Sequence, residues 1–198
     1  MRFRSLLVMV PVCLLVLAGL LPAGLRASGT GFIYSKAADG KQVYTGTAIG
    51  IGGQLGHVSI PFTLEIDGET PQDQVQRYRQ TLETKGPAEL LQAISGRKLG
   101  TFTLEGTPPH DLNFVQVRPQ EKGHSITALS ERWVHVFELS NATKLKDYPF
   151  TYIQLFINDD GKGEGSLVTA AKINLNDDIA DVQEFGSFPA HLEGVQRK

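Results

Sequence analysis

The sequence predicts an α+β domain. Its centre is an antiparallel sheet or open barrel of about seven to eight strands, with a short helical pair near the N-terminal third. Three observations carry this. From Val58 to Ile66 large apolar residues alternate strictly with polar or small ones, the period-two pattern of a half-buried strand. Helical spacing is confined to residues 70–95, where Pro and Gly bracket each run. Everything after residue 100 is β-branched and aromatic runs divided by turn residues, and runs of adjacent strands favour antiparallel pairing. A β-sandwich with a helical insertion is the alternative.

Taken in order, Lys41 to Ile51 is rich in Val, Thr, Tyr and Ile and predicts the first strand, turned by Gly50, Gly52 and Gly53. In the next, Val58, Ile60, Phe62, Leu64 and Ile66 share one face, and Pro61 predicts an edge position or a bulge because it has no N–H to donate. Asp67-Gly68 turns the chain. Thr70 is the expected cap of the first helix, with Pro71 in its first turn and Val75, Tyr78 and Leu82 as its apolar stripe. Gly86 ends it, and Pro87 opens a second helix carrying Leu90, Leu91 and Ile94 inward before Gly96. The pair is expected to cover one face or one mouth of the sheet. Further strands are predicted at Thr101 to Glu105, Asn113 to Val117, Arg132 to Leu139, Phe150 to Ile157, Gly165 to Leu175 and Ile179 to Phe185. Asn158-Asp159-Asp160-Gly161 is a strong hairpin signal. The expected core is Val58, Ile60, Phe62, Leu64, Leu82, Leu91, Phe102, Phe114, Trp133, Phe137, Ile153, Leu155 and Ile173.

Ahead of this domain, Arg2 and Arg4 precede an apolar stretch from Leu6 to Leu25 and a small-residue exit at Ala23, Gly24, Ala27, Ser28 and Gly29. That order is the pattern of a secretory signal peptide at residues 1–27, cleaved after Ala27 or Gly29, then a loose lead-in at 28–40 and a single β-rich domain at 41–198. The stretch is also about long enough to remain as a membrane anchor, but Pro11 and Pro22 interrupt it. A lipoprotein reading of Cys13 is disfavoured by the bulky Val12 before it. Cleavage is therefore expected to leave an exported domain with no thiol, no disulfide and no later apolar run long enough to span a bilayer. It shifts the formal charge from −2 to −5, because three of the nineteen basic residues and none of the twenty-one acids lie in the leader. An acidic chain gives no electrostatic reason to expect a nucleic-acid partner.

No motif in the chain carries a defined chemistry. Measured from Gly161, the ligand positions of an EF-hand-type loop fall on Phe156 and Leu167, so the acidic turn is a turn and not a calcium site. The five histidines, His57, His110, His124, His135 and His191, make no metal-ligand pair at i, i+2 or i, i+4 spacing. There is no GxSxG, and Ser95 to Lys98 spells SxxK across a helix end. The glycines at 50, 52 and 53 precede a strand, not a helix, so they form no phosphate cradle. No cofactor is expected. The sequon Asn141-Ala142-Thr143 matters only where the secretory route glycosylates. The best candidate ligand site is Trp133, His135 and Phe137, which share one face of a predicted strand, with Asp147 beyond the polar loop Ser140 to Lys146.

Segments such as Leu90-Leu91-Gln92-Ala93-Ile94, Phe137 to Thr143, Asp147-Tyr148-Pro149-Phe150, Gly161 to Gly165, Ala170-Ala171-Lys172 and Pro189-Ala190-His191-Leu192 resemble an uncharacterised family of exported proteins of acidobacteria-like soil bacteria. The resemblance runs from about Thr63 onward and implies a periplasmic or extracellular place of work. It carries no activity and no site residue. Two function classes follow. One is a non-catalytic binding or interaction module for a small apolar ligand, an envelope component or a protein. The other is a secreted hydrolase whose histidines and acids, His57 or His135 with Glu138, Ser140 or Asp147, meet only on folding.

Overall fold

The computed structural model describes residues 40–50, 58–132, 147–176, 179–184 and 189–198. The predicted leader and lead-in up to residue 39, the predicted strand beyond Arg132 and the sequon lie outside them. Ten strands and two helices follow one another as β1 (Gln42–Gly50), β2 (Val58–Ile66), α1 (Gln72–Lys85), α2 (Pro87–Ile94), β3 (Gly100–Leu104), β4 (His110–Asp111), β5 (Phe114–Gln120), β6 (Gly123–Glu131), β7 (Phe150–Ile157), β8 (Lys162–Asn176), β9 (Ile179–Glu184) and β10 (Ala190–Arg197). All strands join one antiparallel sheet in the order β4-β3-β2-β1-β10-β8-β7-β6-β5, with β9 on β8.

The sheet curls into a half-barrel, and one chain segment joins its two ends. β4 pairs with β3 through Thr101↔Asp111 and Phe102↔His110. Two residues later the same segment becomes β5 and pairs with β6 from Phe114↔Leu129 to Gln120↔Gly123. Between them, Leu112 donates its N–H to Gly100 and accepts from Leu99 at 3.0 and 2.8 Å, while Asn113 donates to Leu129 at 2.8 Å. Curling places one face of every long strand inside. Tyr44, Phe62, Leu64, Phe102, Val115, Ile126, Ile153, Leu155, Leu167 and Leu192 meet there as one buried cluster. Phe62 stacks on Phe102 with centroids 5.4 Å apart. The predicted register of β2 holds, since Phe62 and Leu64 are buried.

The helices pack on the outer face rather than over a mouth. Val75, Leu82, Leu90 and Ile94 form a second cluster with Phe114, Leu129, Phe150, Tyr152, Val168, Ala171 and Ile173. Val168, Ala171 and Ile173 break period two, and a β-bulge explains it. Tyr152 pairs with Val168 and Phe150 with Ala171, so β8 carries one extra residue and keeps all three side chains under the helices. Gly86 ends α1 at φ 89°, and Pro87 starts α2.

Four expectations need correction. Ten strands stand among the described residues, and β4, β6 and β10 were not expected. β6 shows only Ile126 and Ala128 inward among serines and threonines. In β10 Leu192 and Val195 both point inside across a bulge with Gly194 at φ 60°, which hides the alternation. Thr70 does not cap α1, whose N-terminal neighbour is Pro71. It is buried and clasps β5 instead: its N–H donates to the Val115 carbonyl at 2.8 Å, and its Oγ1 accepts the Val115 N–H at 3.1 Å. Pro61 lies in no bulge, and its strand is an inner one, although the position itself is locally at an edge. β2 sits between β1 and β3, but Pro61 stands just before the first β2–β3 pair, Phe62↔Leu104, where that side of β2 is open; its carbonyl accepts the Glu105 N–H at 2.8 Å. Ile60 is only half-buried, because β3 stops at Leu104 opposite Phe62 and leaves no neighbour beside it. Leu91 is likewise partly buried, on the rim of the helix cluster. Trp133, Phe137 and the side chain of Val58 lie outside the described residues.

Candidate functional site

Among the described residues the interior of the half-barrel is a buried apolar cluster. Tyr44, Leu64, Phe102, Ile126, Ile153, Leu155 and Leu192 have no accessible surface at all, so none of them borders a void large enough for a water molecule.

One rim gathers titratable side chains from five parts of the chain. Tyr44 on β1 reaches across the mouth to His124 on β6, its Oη 3.3 Å from Nε2, and the rings meet edge to face. The Tyr44 hydroxyl donates to Gln42 Oε1 at 2.8 Å. A hydroxyl has one proton to give, so the Nε2–H of His124 is the donor to Tyr44, and Nδ1 keeps its lone pair. Glu69, between β2 and α1, accepts a backbone N–H from Val117; burial, the larger effect, raises its carboxyl above the usual range. Arg197 on β10 pairs with Tyr44 in the β1 ladder, and its charge acts on both Tyr44 and His124. Asp159, in the β7–β8 turn, acts on His124 in the opposite sense. Burial raises the Tyr44 hydroxyl, so it stays protonated and available as donor.

Local chemistry sets this geometry. The β7–β8 turn closes as the sequence predicts: Gly161 at φ 74° donates to the Asn158 carbonyl at 3.0 Å, and Asn158 Oδ1 accepts the Lys162 N–H at 2.9 Å. At the neighbouring tip Gly123, at φ 99°, lets β5 return directly as β6. Between the two tips lies a groove of about 450 Å³, lined by His124, Lys122, Phe156, Lys162, Gly163 and Glu164 among others.

The imidazole gives a pH test. Burial first, and the Arg197 charge second, hold His124 below its ordinary value near 6.5. The unfolded chain therefore binds more protons than the folded one as pH falls through that value. The stability that His124 contributes is present above pH 6.5 and declines below it. Urea denaturation at about pH 7.5 and about pH 5.5 is expected to show a larger loss for the native chain than for His124→Gln. Equal losses would mean that the imidazole is not held neutral.

A second groove, of about 490 Å³, opens near the other end of β6 and is lined by Arg97, Lys98, His110, Asp111, Asn113, Glu131 and Arg132 among others. Its polar groups are largely engaged with one another. Lys98 pairs with Asp111 at 2.8 Å. Asn113 donates to the Arg97 carbonyl at 2.7 Å and accepts the Glu131 N–H at 3.0 Å. Arg97 donates to the Tyr78 hydroxyl at 2.6 Å and to Gln74 Oε1. Ser95 follows the end of α2 and donates to Leu91, so Ser95 and Lys98 do not share a helical turn.

Of the ligand residues expected from sequence, Trp133, His135 and Phe137 lie outside the described residues, as do His57, Glu138 and Ser140. Asp147 is exposed, two residues before Pro149, whose carbonyl accepts the Arg132 N–H at 2.9 Å. Among the described residues no group of three His, Cys, Asp or Glu side chains is placed to hold a metal ion, and no helix is long and apolar enough to cross a membrane. The Tyr44–His124 pair was missed in the sequence because its partners are 80 positions apart. Each shares its strand's inward register with a core residue, Ala48 or Ile126, and that is the signal that could have found it.

The fold and this rim define the molecule as a curled antiparallel β domain with a filled interior, an outer helical pair and a polar mouth. Comparisons with protein-family models, with curated proteins and with solved structures returned no match.

Proposed function

We propose that this chain is an exported bacterial domain, working in the periplasm or outside the cell, and that it is a non-catalytic binding or interaction module of the cell envelope. The N-terminal pattern of basic start, apolar middle and small-residue exit supports export. The observation that carries the binding reading is the gathering of titratable groups at the rim beside His124. Tyr44 is itself fully buried and positions the ring of His124, so a partner meets the rim at His124, where the charges of Arg197 and Asp159 also converge. A neutral imidazole with one nitrogen occupied and the other open serves recognition, accepting a hydrogen bond in a fixed direction.

Native mass spectrometry of protein purified from its own host tests this. A small molecule or protein partner is expected to travel with the native chain and to be lost from His124→Ala. A bare chain, with no partner recovered by cross-linking in the envelope, would overturn the reading.

A further inference from the structure

Phe156 is exposed to 49% although it is large and apolar. It belongs to the outer face of β7, where Phe150 and Tyr152 are buried under the helix cluster, but it lies beyond that cover. Its cross-strand neighbours are Ser125 on β6 and Glu164 on β8. The ring therefore forms an uncovered apolar wall of the groove between the hairpin tips. Lys122 and Lys162 stand on the same groove, and neither is ion-paired to another described residue. Two lysines against one carboxylate, Glu164, make this lining cationic in a chain whose net charge is negative. Gly163 adds floor without a side chain, since a Cβ there would fall 1.9 Å from the Phe156 carbonyl oxygen.

An apolar ring beside two ammonium groups complements one class of small molecule, an anion carried on an aromatic body. We propose that the groove between the β5–β6 and β7–β8 tips is a binding site for a small aromatic carboxylate. The ligand ring packs on Phe156 and its carboxylate lies between Lys122 and Lys162. The assignment rests on the binding-module reading and gives that module a ligand class. His124 lines the same groove.

Proton–nitrogen correlation spectra of the labelled protein, titrated with phenylacetate, test it. Saturable shifts are expected at Phe156, Gly163 and His124. Acetate has the charge without the ring, and benzyl alcohol the ring without the charge; each is expected to bind at least about tenfold more weakly, since either contact is worth on the order of a kcal/mol. Phe156→Ala is expected to weaken phenylacetate about tenfold, and the double variant Lys122→Gln/Lys162→Gln by a similar factor. All three side chains are exposed, so folding should survive. Shifts that never saturate, affinity unchanged in the variants, or saturable shifts confined to the Arg97 groove would overturn the assignment. So would a host-derived molecule whose release leaves Phe156 and Gly163 unmoved, although that result would leave the binding-module reading standing.

Discussion

Phe102→Ala is expected to destabilise the domain by about 3–5 kcal/mol, lowering the melting temperature by roughly 10 °C. Phe102 has no accessible surface and stacks on Phe62 at 5.4 Å. It also lies beside the junction that closes the half-barrel, since its backbone pairs with both Leu64 and His110. Truncation leaves a cavity that the neighbouring strands cannot fill, because their hydrogen bonds fix the spacing. Chemical denaturation of the variant beside Phe156→Ala separates the two roles: Phe156 is exposed, and its loss should cost well under half as much. Similar losses would mean that the interior is not the tightly packed body described above.

Gly165→Ala is expected to cost more than about 3 kcal/mol and to leave little folded protein, the reverse of the usual gain from replacing glycine with alanine in extended backbone. A Cβ at Gly165 would lie 2.0 Å from the Gln154 carbonyl oxygen and 2.7 Å from Leu155 Cδ2. Backbone on the paired strand cannot retreat as a side-chain tip would. β7 and β8 would have to separate along Leu155↔Gly165, and β10 would move with them through Leu192↔Gly165. Circular dichroism melting of the variant is the check, with Gly40→Ala as control, since a Cβ there meets nothing within 4 Å. A Gly165→Ala protein as stable as the native chain would refute so close an approach of β7 and β8.

These positions also show what the sequence could disclose. β2 was legible because five large residues alternate without interruption and both faces have consistent surroundings. The helical pair was legible because Gly86 and Pro87 give a stop and a start that hydrogen bonding alone would not. β10 was hidden because its bulge shifts the inward set from even to odd positions between Leu192 and Val195. Thr70 shows the same limit in chemistry. A threonine before proline and helix reads as a cap, and only tertiary structure sets Val115 against it. The candidate site was least legible of all. His124 and Tyr44 each look like an isolated polar residue at a strand end, and ring closure across the sheet creates their contact. A sequence window contains no trace of a pairing made through curvature.

The ladder between β1 and β10 joins strands far apart in the sequence. Tyr44 lies beside Arg197, and Lys198 donates its N–H to Val43 at 2.9 Å. β1 thus has β2 on one side at once, while its other edge waits for the end of the chain. Closing so long a loop costs entropy before any contact repays it, so this pairing is expected to be a late step of folding. Were the chain exported unfolded, as proposed above, the half-barrel would stay incomplete until β10 had emerged.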